Sequence, residues 1–330
     1  MVYIIFLIAA AITVVASIKL SQYADVMSEK TAMGGMMVGT LLLAGATSLP
    51  EVSTSFSAAA IGNADIAVGN MIGSNLFNLF ILAVFDFLLR RRKIMEQASR
   101  DHIYTSLLGI LLTILVILAL WLRIDVSILG VGLDALIIAI SYVVGMVIIN
   151  KVTKNNPEAA VVKDEAEPEN PSSNLSAKGA IIRFVIAALI ILGAGTMLSV
   201  TADEIAVITG IGSSFMGSFL VAATTSLPEA ISVFVALRLS NVNMAVGAIL
   251  GSNIFNMIIL ALSDPVYAAG PILSHVSGAN MIIAVGVLIM SLLTLYLLMK
   301  RKTASTALYA IPSAVIIVIY FISSYLNFTY

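Results

Sequence analysis

The sequence predicts an all-α membrane protein of ten transmembrane helices, arranged as two inverted five-helix repeats. Three observations predict it. First, 60% of the 330 residues are apolar, 11% are charged, and the mean hydropathy is +1.07. Long apolar runs recur along the chain, as in a polytopic helical protein, and the short alternating segments of a β-barrel are missing. Second, residues 46–86, ATSLPEVSTSFSAAAIGNADIAVGNMIGSNLFNLFILAVFD, recur without a gap as TTSLPEAISVFVALRLSNVNMAVGAILGSNIFNMIILALSD at 224–264, with about half the positions identical. Third, five spans separate the starts of the two copies. An odd number turns the second copy upside down relative to the first.

Ten apolar runs near or above the ~20 residues that cross a bilayer lie at roughly 2–22, 34–60, 67–89, 103–122, 126–149, 180–200, 210–237, 244–263, 276–299 and 306–326. The first lacks the basic start and small-residue cleavage site of a signal peptide. The second and seventh each carry a Pro–Glu pair, Pro50–Glu51 and Pro228–Glu229. The match extends upstream, with Ser21, Ala24 and Asp25 answering Ser199, Ala202 and Asp203. Residues 1–150 and 179–330 are therefore the expected five-helix repeats. The linker between them, 151–178, holds Pro157, Pro168 and Pro171 and the acids Asp164, Glu165, Glu167 and Glu169. It reads as a disordered connection, without the spaced ligands and turn glycine of a calcium loop. With the N-terminus outside, every Lys and Arg except Arg123 falls on the inner side, which makes the linker cytoplasmic and the chain a multi-pass protein of the cell membrane.

The repeated motif carries the chemistry. Ala44, Thr47, Ser48 and Glu51 share one helix face, as do Ala222, Thr225, Ser226 and Glu229. Pro50 and Pro228 lack an N–H and clash with the carbonyl four residues back, so they break the helix and loosen carbonyl oxygens beside each Glu. Ser74 and Asn78, and likewise Ser252 and Asn256, add a second polar face. Gly69, Gly73, Gly247 and Gly251 allow close helix approach. A carboxylate at membrane depth needs a partner. Two carboxylates with hydroxyl, amide and carbonyl oxygens, and no His or Cys, suit Ca²⁺ or Na⁺ better than Zn²⁺ or Cu²⁺. Other polar groups read as structural: Asn75 and Asn253 as partners of backbone or a neighbouring helix, Asp86 and Asp264 as interfacial caps, and Asp134 as a capped or paired group.

At these residues the chain resembles the cation/calcium exchanger superfamily, and within it the prokaryotic sodium/calcium exchangers. ATSLPE at 46–51 and TTSLPE at 224–229 are similar to the signature of that family's two repeats, and GSNLFN at 73–78 and GSNIFN at 251–256 to the second half of each. The resemblance implies an antiporter that exchanges one Ca²⁺ for about three Na⁺ by alternating access. It implies a central calcium site of Glu51, Glu229, Asn78 and Asn256, completed by the Thr47 and Thr225 carbonyls. Sodium sites would flank it at Ala44, Ser48 and Ser252 on one side and at Ala222, Ser226 and Ser74 on the other. The first and sixth helices would slide across the core. Many relatives carry Asp where this chain has Asn78 or Asn256, so the site here has two carboxylates and potassium co-transport is not expected.

A Ca²⁺/H⁺ antiporter is the alternative, since a desolvated Glu can bind protons. The SLPE motif differs from the signature of that branch. A cation channel would need a continuous pore, usually lined by several subunits. Enzyme activity is not expected, because His102 and His275 lie near span ends, away from the Glu motifs. The expected partners are Ca²⁺, Na⁺ and the lipid bilayer, with no cofactor, no nucleic acid and a monomeric state.

Overall fold

The computed structural model describes residues 1–30, 47–153, 175–238, 240–300 and 305–330. These form helices α1 (Val2–Lys30), α2 (Leu49–Ala60), α3 (Ala64–Leu88), α4 (His102–Leu122), α5 (Leu133–Thr153), α6 (Ala177–Thr209), α7 (Ser213–Thr225), α8 (Leu227–Arg238), α9 (Val242–Ser263), α10 (Ala279–Met299) and α11 (Thr306–Thr329). A single turn, Ile94–Gln97, links α3 to α4, and a two-stranded hairpin (β1 Ser127–Ile128, β2 Val131–Gly132) links α4 to α5. Among the described residues, eight helices are long and apolar enough to cross a membrane, or nine if the bent pair α7–α8 is one span. The expected span 34–60 and the linker 151–178 lie partly outside the described residues.

The repeat is visible in local structure. Asn63 and Asn241, 178 residues apart, cap α3 and α9 by accepting the N–H of Ile66 and Met244 at 2.9 and 3.0 Å. This satisfies a donor that a helix start otherwise leaves orphaned. Ser48 and Ser226 sit at the two helix breaks with the same backbone angles, φ −90° and ψ near 5°. Leu-Pro-Glu then opens a 12-residue helix in each copy. Proline is tolerated there because the first turn has no intrahelical acceptor for its N–H. Between α7 and α8 the axis bends by 43°.

The core lies where α3 and α9 meet. α3 is apolar nearly all round and is buried on most sides, as such a helix must be; it packs on α2, α7, α9, α10 and α11. Small residues let α7 come close. A Cβ on Gly73 would lie 2.2 Å from the carbonyl oxygen of Ser218, and one on Gly217 would lie 2.7 Å from that of Ile66. Ser218 belongs to a π-helical stretch of α7, Met216–Val221, flanked by two hydrogen bonds to Asn327 of α11: Asn327 Nδ2 donates to Ser218 Oγ at 2.6 Å, and Ser214 Oγ donates to Asn327 Oδ1 at 3.2 Å. α1 and α6 pack together outside this core and run longer than expected, to Lys30 and Thr209. At 29 and 33 residues they are ~44 and ~50 Å long, enough to cross the bilayer at a tilt.

Two expectations change. Asp86 and Asp264 are not interfacial caps. Asp86 is buried and accepts from the hydroxyls of Tyr309 and Ser313. Asp264 is buried and accepts the N–H groups of Gly132 and Ile272 at 2.6 and 2.7 Å. A carboxylate held by two donors is a strut between elements, stable away from water because its acceptors are filled. Asp134 is capped as expected, with Oδ1 accepting the Ala135 N–H at 2.8 Å.

Candidate ion-binding site

Each helix break places a Glu on the first turn of the following helix, α2 or α8, and both are buried: Glu51 is 1% exposed and Glu229 3%. Glu51 reaches the other copy, its Oε1 accepting from Ser226 Oγ at 3.1 Å. Ser226 lies three residues before Glu229, so this bond ties the two motifs together. Glu51 Oε2 and both Glu229 oxygens accept no hydrogen bond. Two buried carboxylates with three unfilled oxygens are costly unless a cation or proton joins them.

α3 and α9 meet through a reciprocal asparagine lattice. Asn75 Nδ2 donates to the Asn253 carbonyl at 3.0 Å, and Asn253 Nδ2 to the Asn75 carbonyl at 3.3 Å. Asn78 Nδ2 donates to Asn253 Oδ1 at 3.0 Å, and Asn256 Nδ2 to Asn75 Oδ1 at 2.9 Å. Exchanging the two copies reproduces the pattern. Its consequence is chemical. The lattice engages the amide nitrogens of Asn78 and Asn256 and leaves both Oδ1 atoms buried without a donor. Ser74 Oγ, one turn before Asn78, is also buried without a partner. Asn75 and Asn253 take the structural role expected of them.

Thr225 is fully buried and donates to Asn70 Oδ1 at 3.2 Å and to the Ala222 carbonyl at 3.3 Å. That carbonyl also accepts the Ser226 N–H at 3.0 Å, so it is engaged within its own helix. Ser48 is buried at the N-cap of α2, Thr47 just before it is half-buried, and Ser252 is half-buried one turn before Asn256. Ala44 lies outside the described residues. Hydrogen bonds thus join Glu51, Ser226 and, through Asn70, Thr225 in one network, and Asn78 and Asn256 in another.

Sequence reasoning missed Asn70. It is fully buried and lies on the α3 face of Ser74 and Asn78, at i, i+4 and i+8. That spacing was the available signal. Comparing the copies hides it, because Ala248 stands at the matching position. Asn327 was missed for the same reason: it matches Ile149.

A sequence profile described as "Sodium/calcium exchanger protein" matches residues 1–150 and 179–329. The chain belongs to this family. Sodium/calcium exchanger family members are cation exchangers, and the apolar helices here make the chain a multi-pass membrane protein. Similar curated proteins include the "Putative antiporter CaxA" of Alkalimonas amylolytica, 26% identical over 74% of each chain. The "Uncharacterized membrane protein MJ0091" of Methanocaldococcus jannaschii is 28% identical, over 81% of this chain and 80% of that one. Among solved structures, the H⁺/Ca²⁺ exchanger CAX superposes with a TM-score of 0.65 at 15% identity, covering 99% of this chain and 88% of that one. The sodium-calcium exchanger NCX_Mj superposes at 0.57 with 21% identity, over 97% and 96%. At these identities the likeness concerns the fold.

Proposed function

We propose that this protein is a secondary antiporter that exchanges Ca²⁺ for Na⁺ by alternating access. The observation that carries the reading is the group of oxygens within the two repeated motifs that are buried and left without donors: Glu51 Oε2, both oxygens of Glu229, Asn78 Oδ1, Asn256 Oδ1 and Ser74 Oγ. All are hard oxygen donors, the class calcium takes at six to eight positions. Two carboxylates balance the two charges of one Ca²⁺. Thr47 and Thr225 supply further carbonyl oxygens. Sodium binds on the flanks, at Ala222, Ser226 and Ser74 and at Ala44, Ser48 and Ser252. About three Na⁺ replace one Ca²⁺, so each cycle moves one net charge and a membrane potential biases it by about 2.3 kcal/mol per 100 mV.

The five-helix units at 1–150 and 179–330 act as inverted repeats, joined by a cytoplasmic linker at 151–178. The N-terminus is outside, in the cell membrane, and the unit of function is the monomer. Proton exchange is the second reading, favoured by the same unfilled carboxylate oxygens, which can take protons as well as cations.

Calcium uptake into proteoliposomes under imposed gradients separates the readings. An outward sodium gradient should drive calcium in against its own gradient, and an inside-negative valinomycin potential should oppose sodium-driven extrusion of one charge in the direction that the three-for-one exchange requires. Uptake driven by protons and indifferent to sodium would establish the proton reading. Flux that only runs downhill would point to a channel.

A further inference from the structure

The two copies of the motif are nearly matched, yet one polar side chain spans them without a counterpart. Asn70 is fully buried. Its amide nitrogen lies 2.7 Å from Thr54 Oγ1, 2.9 Å from Ser55 Oγ and 3.5 Å from the Glu51 carbonyl oxygen. Its amide oxygen accepts the hydroxyl of Thr225 from the other copy at 3.2 Å. Both ends of the amide are used, so the group has one orientation and little freedom. At the matching position of α9, Ala248 offers no donor and no acceptor.

We propose that Asn70 is a positioning residue that makes the two flanks of the ion site unequal. It braces Thr225 against the Glu51 turn, so that sodium binds more tightly on the flank of Ala222, Ser226 and Ser74 than on the flank of Ser48 and Ser252. The physical reason is preorganisation. Thr225 precedes Ser226, which itself bonds Glu51 Oε1, and Ser74 lies one turn from Asn70 on the same face of α3. Fixing Thr225 fixes the chain at the helix break, and oxygens held in place lose less freedom when an ion arrives. The Asn78 and Asn256 oxygens are oriented by the separate Asn75–Asn253 lattice. Of the calcium ligands proposed above, Asn70 braces the chain only at Glu51 and Thr225, whereas Asn78 and Asn256 are held by that lattice and the Glu229 oxygens accept no hydrogen bond, so calcium at the centre depends on Asn70 less than sodium does.

This inference rests on the sodium reading, and the test keeps the two apart. In proteoliposomes, the sodium concentration for half-maximal calcium efflux is measured beside the KM of calcium–calcium exchange, which needs no sodium. Asn70→Ala should raise the half-maximal sodium concentration by about tenfold, the effect of one net hydrogen bond, while the calcium KM stays within about twofold. Ser55→Ala, which removes one anchor of the amide and leaves Asn70 in place, should move sodium in the same direction by a smaller factor. Calcium–calcium exchange in the variants reports that they are folded. If Asn70→Ala does not fold, Ser55→Ala alone decides. Equal shifts in the two constants, or no shift in either, overturn the role of Asn70. A parent protein whose calcium flux ignores sodium overturns the sodium reading itself, and this inference with it.

Discussion

The interface of α2 with α6 and that of α8 with α1 are built from segments 178 residues apart, and they differ. Among the described residues, α2 packs along α6, whereas α8 touches α1 at few points. Across the first interface, Ser53 Oγ donates to the carbonyls of Ile191 and Leu192 at 3.2 and 3.0 Å, Ser57 and Thr196 share a hydrogen bond at 2.9 Å, and Ser199 Oγ donates to the Thr54 carbonyl at 2.6 Å. At the second, Ser53 and Ser57 are replaced by Ile231 and Val235. Ser21, the match of Ser199, donates back to Ser17 of its own helix at 3.1 Å. Ser53 is 3% exposed and Ile231 39%. One repeat thus meets its partner helix through hydroxyls and the other stands apart from it. Under the alternating access proposed above, this difference would correspond to a site shut at the α2–α6 face and parted at the α8–α1 face.

The comparison can be broken most easily at its matched pair. The chain contains no cysteine, so one introduced thiol is a unique reporter. Thiols react only where water and reagent reach them. Ile231→Cys should react with a membrane-impermeant maleimide at least about tenfold faster than Ser53→Cys, and from the opposite side of the membrane. Equal rates, or the reverse order, would mean that the α8 face is lined by lipid and that no cleft separates it from α1. A smaller effect sharpens the account. Ser199→Ala removes one hydroxyl bond across the closed face, and such bonds in membranes average about 0.6 kcal/mol. Labelling at Ser53→Cys should then rise by about threefold through a shift in population. No change would assign the closure to packing alone.

Much of this architecture was legible at one offset. The repeat at 178 residues, the Pro–Glu pair after each helix break, and the Ser–Asn spacing on α3 and α9 marked residues that lie at the two helix breaks and along the two helices that meet in the core, most of them buried. The asparagine lattice bears this out, since Asn75 and Asn253 are recognisable as structural partners from their matched positions. One part of what escaped is not repeated. Asn70 and Asn327 are each opposed by an apolar residue in the other copy, so a comparison of copies discards them. The burial of Asp86 and Asp264 escaped for another reason. A carboxylate near a span end reads as interfacial until the donors that reach it from distant elements, Tyr309 and Ser313 or Gly132 and Ile272, are known. The π-helical stretch of α7 leaves no mark in composition. It accompanies the close approach of Gly73 to Ser218 and the bonds from Asn327.

The central claim is that the oxygens of Glu51, Glu229, Asn78 and Asn256 are one calcium site. Calcium titration of the purified protein by calorimetry tests it without transport, lipid or gradient. The parent should bind one Ca²⁺ per chain, in competition with Na⁺. Glu229→Gln keeps the shape of the side chain and removes its charge, and it should weaken calcium binding by about a hundredfold, the scale of one charged ligand. A Glu229→Gln protein that binds calcium as tightly as the parent would contradict the account.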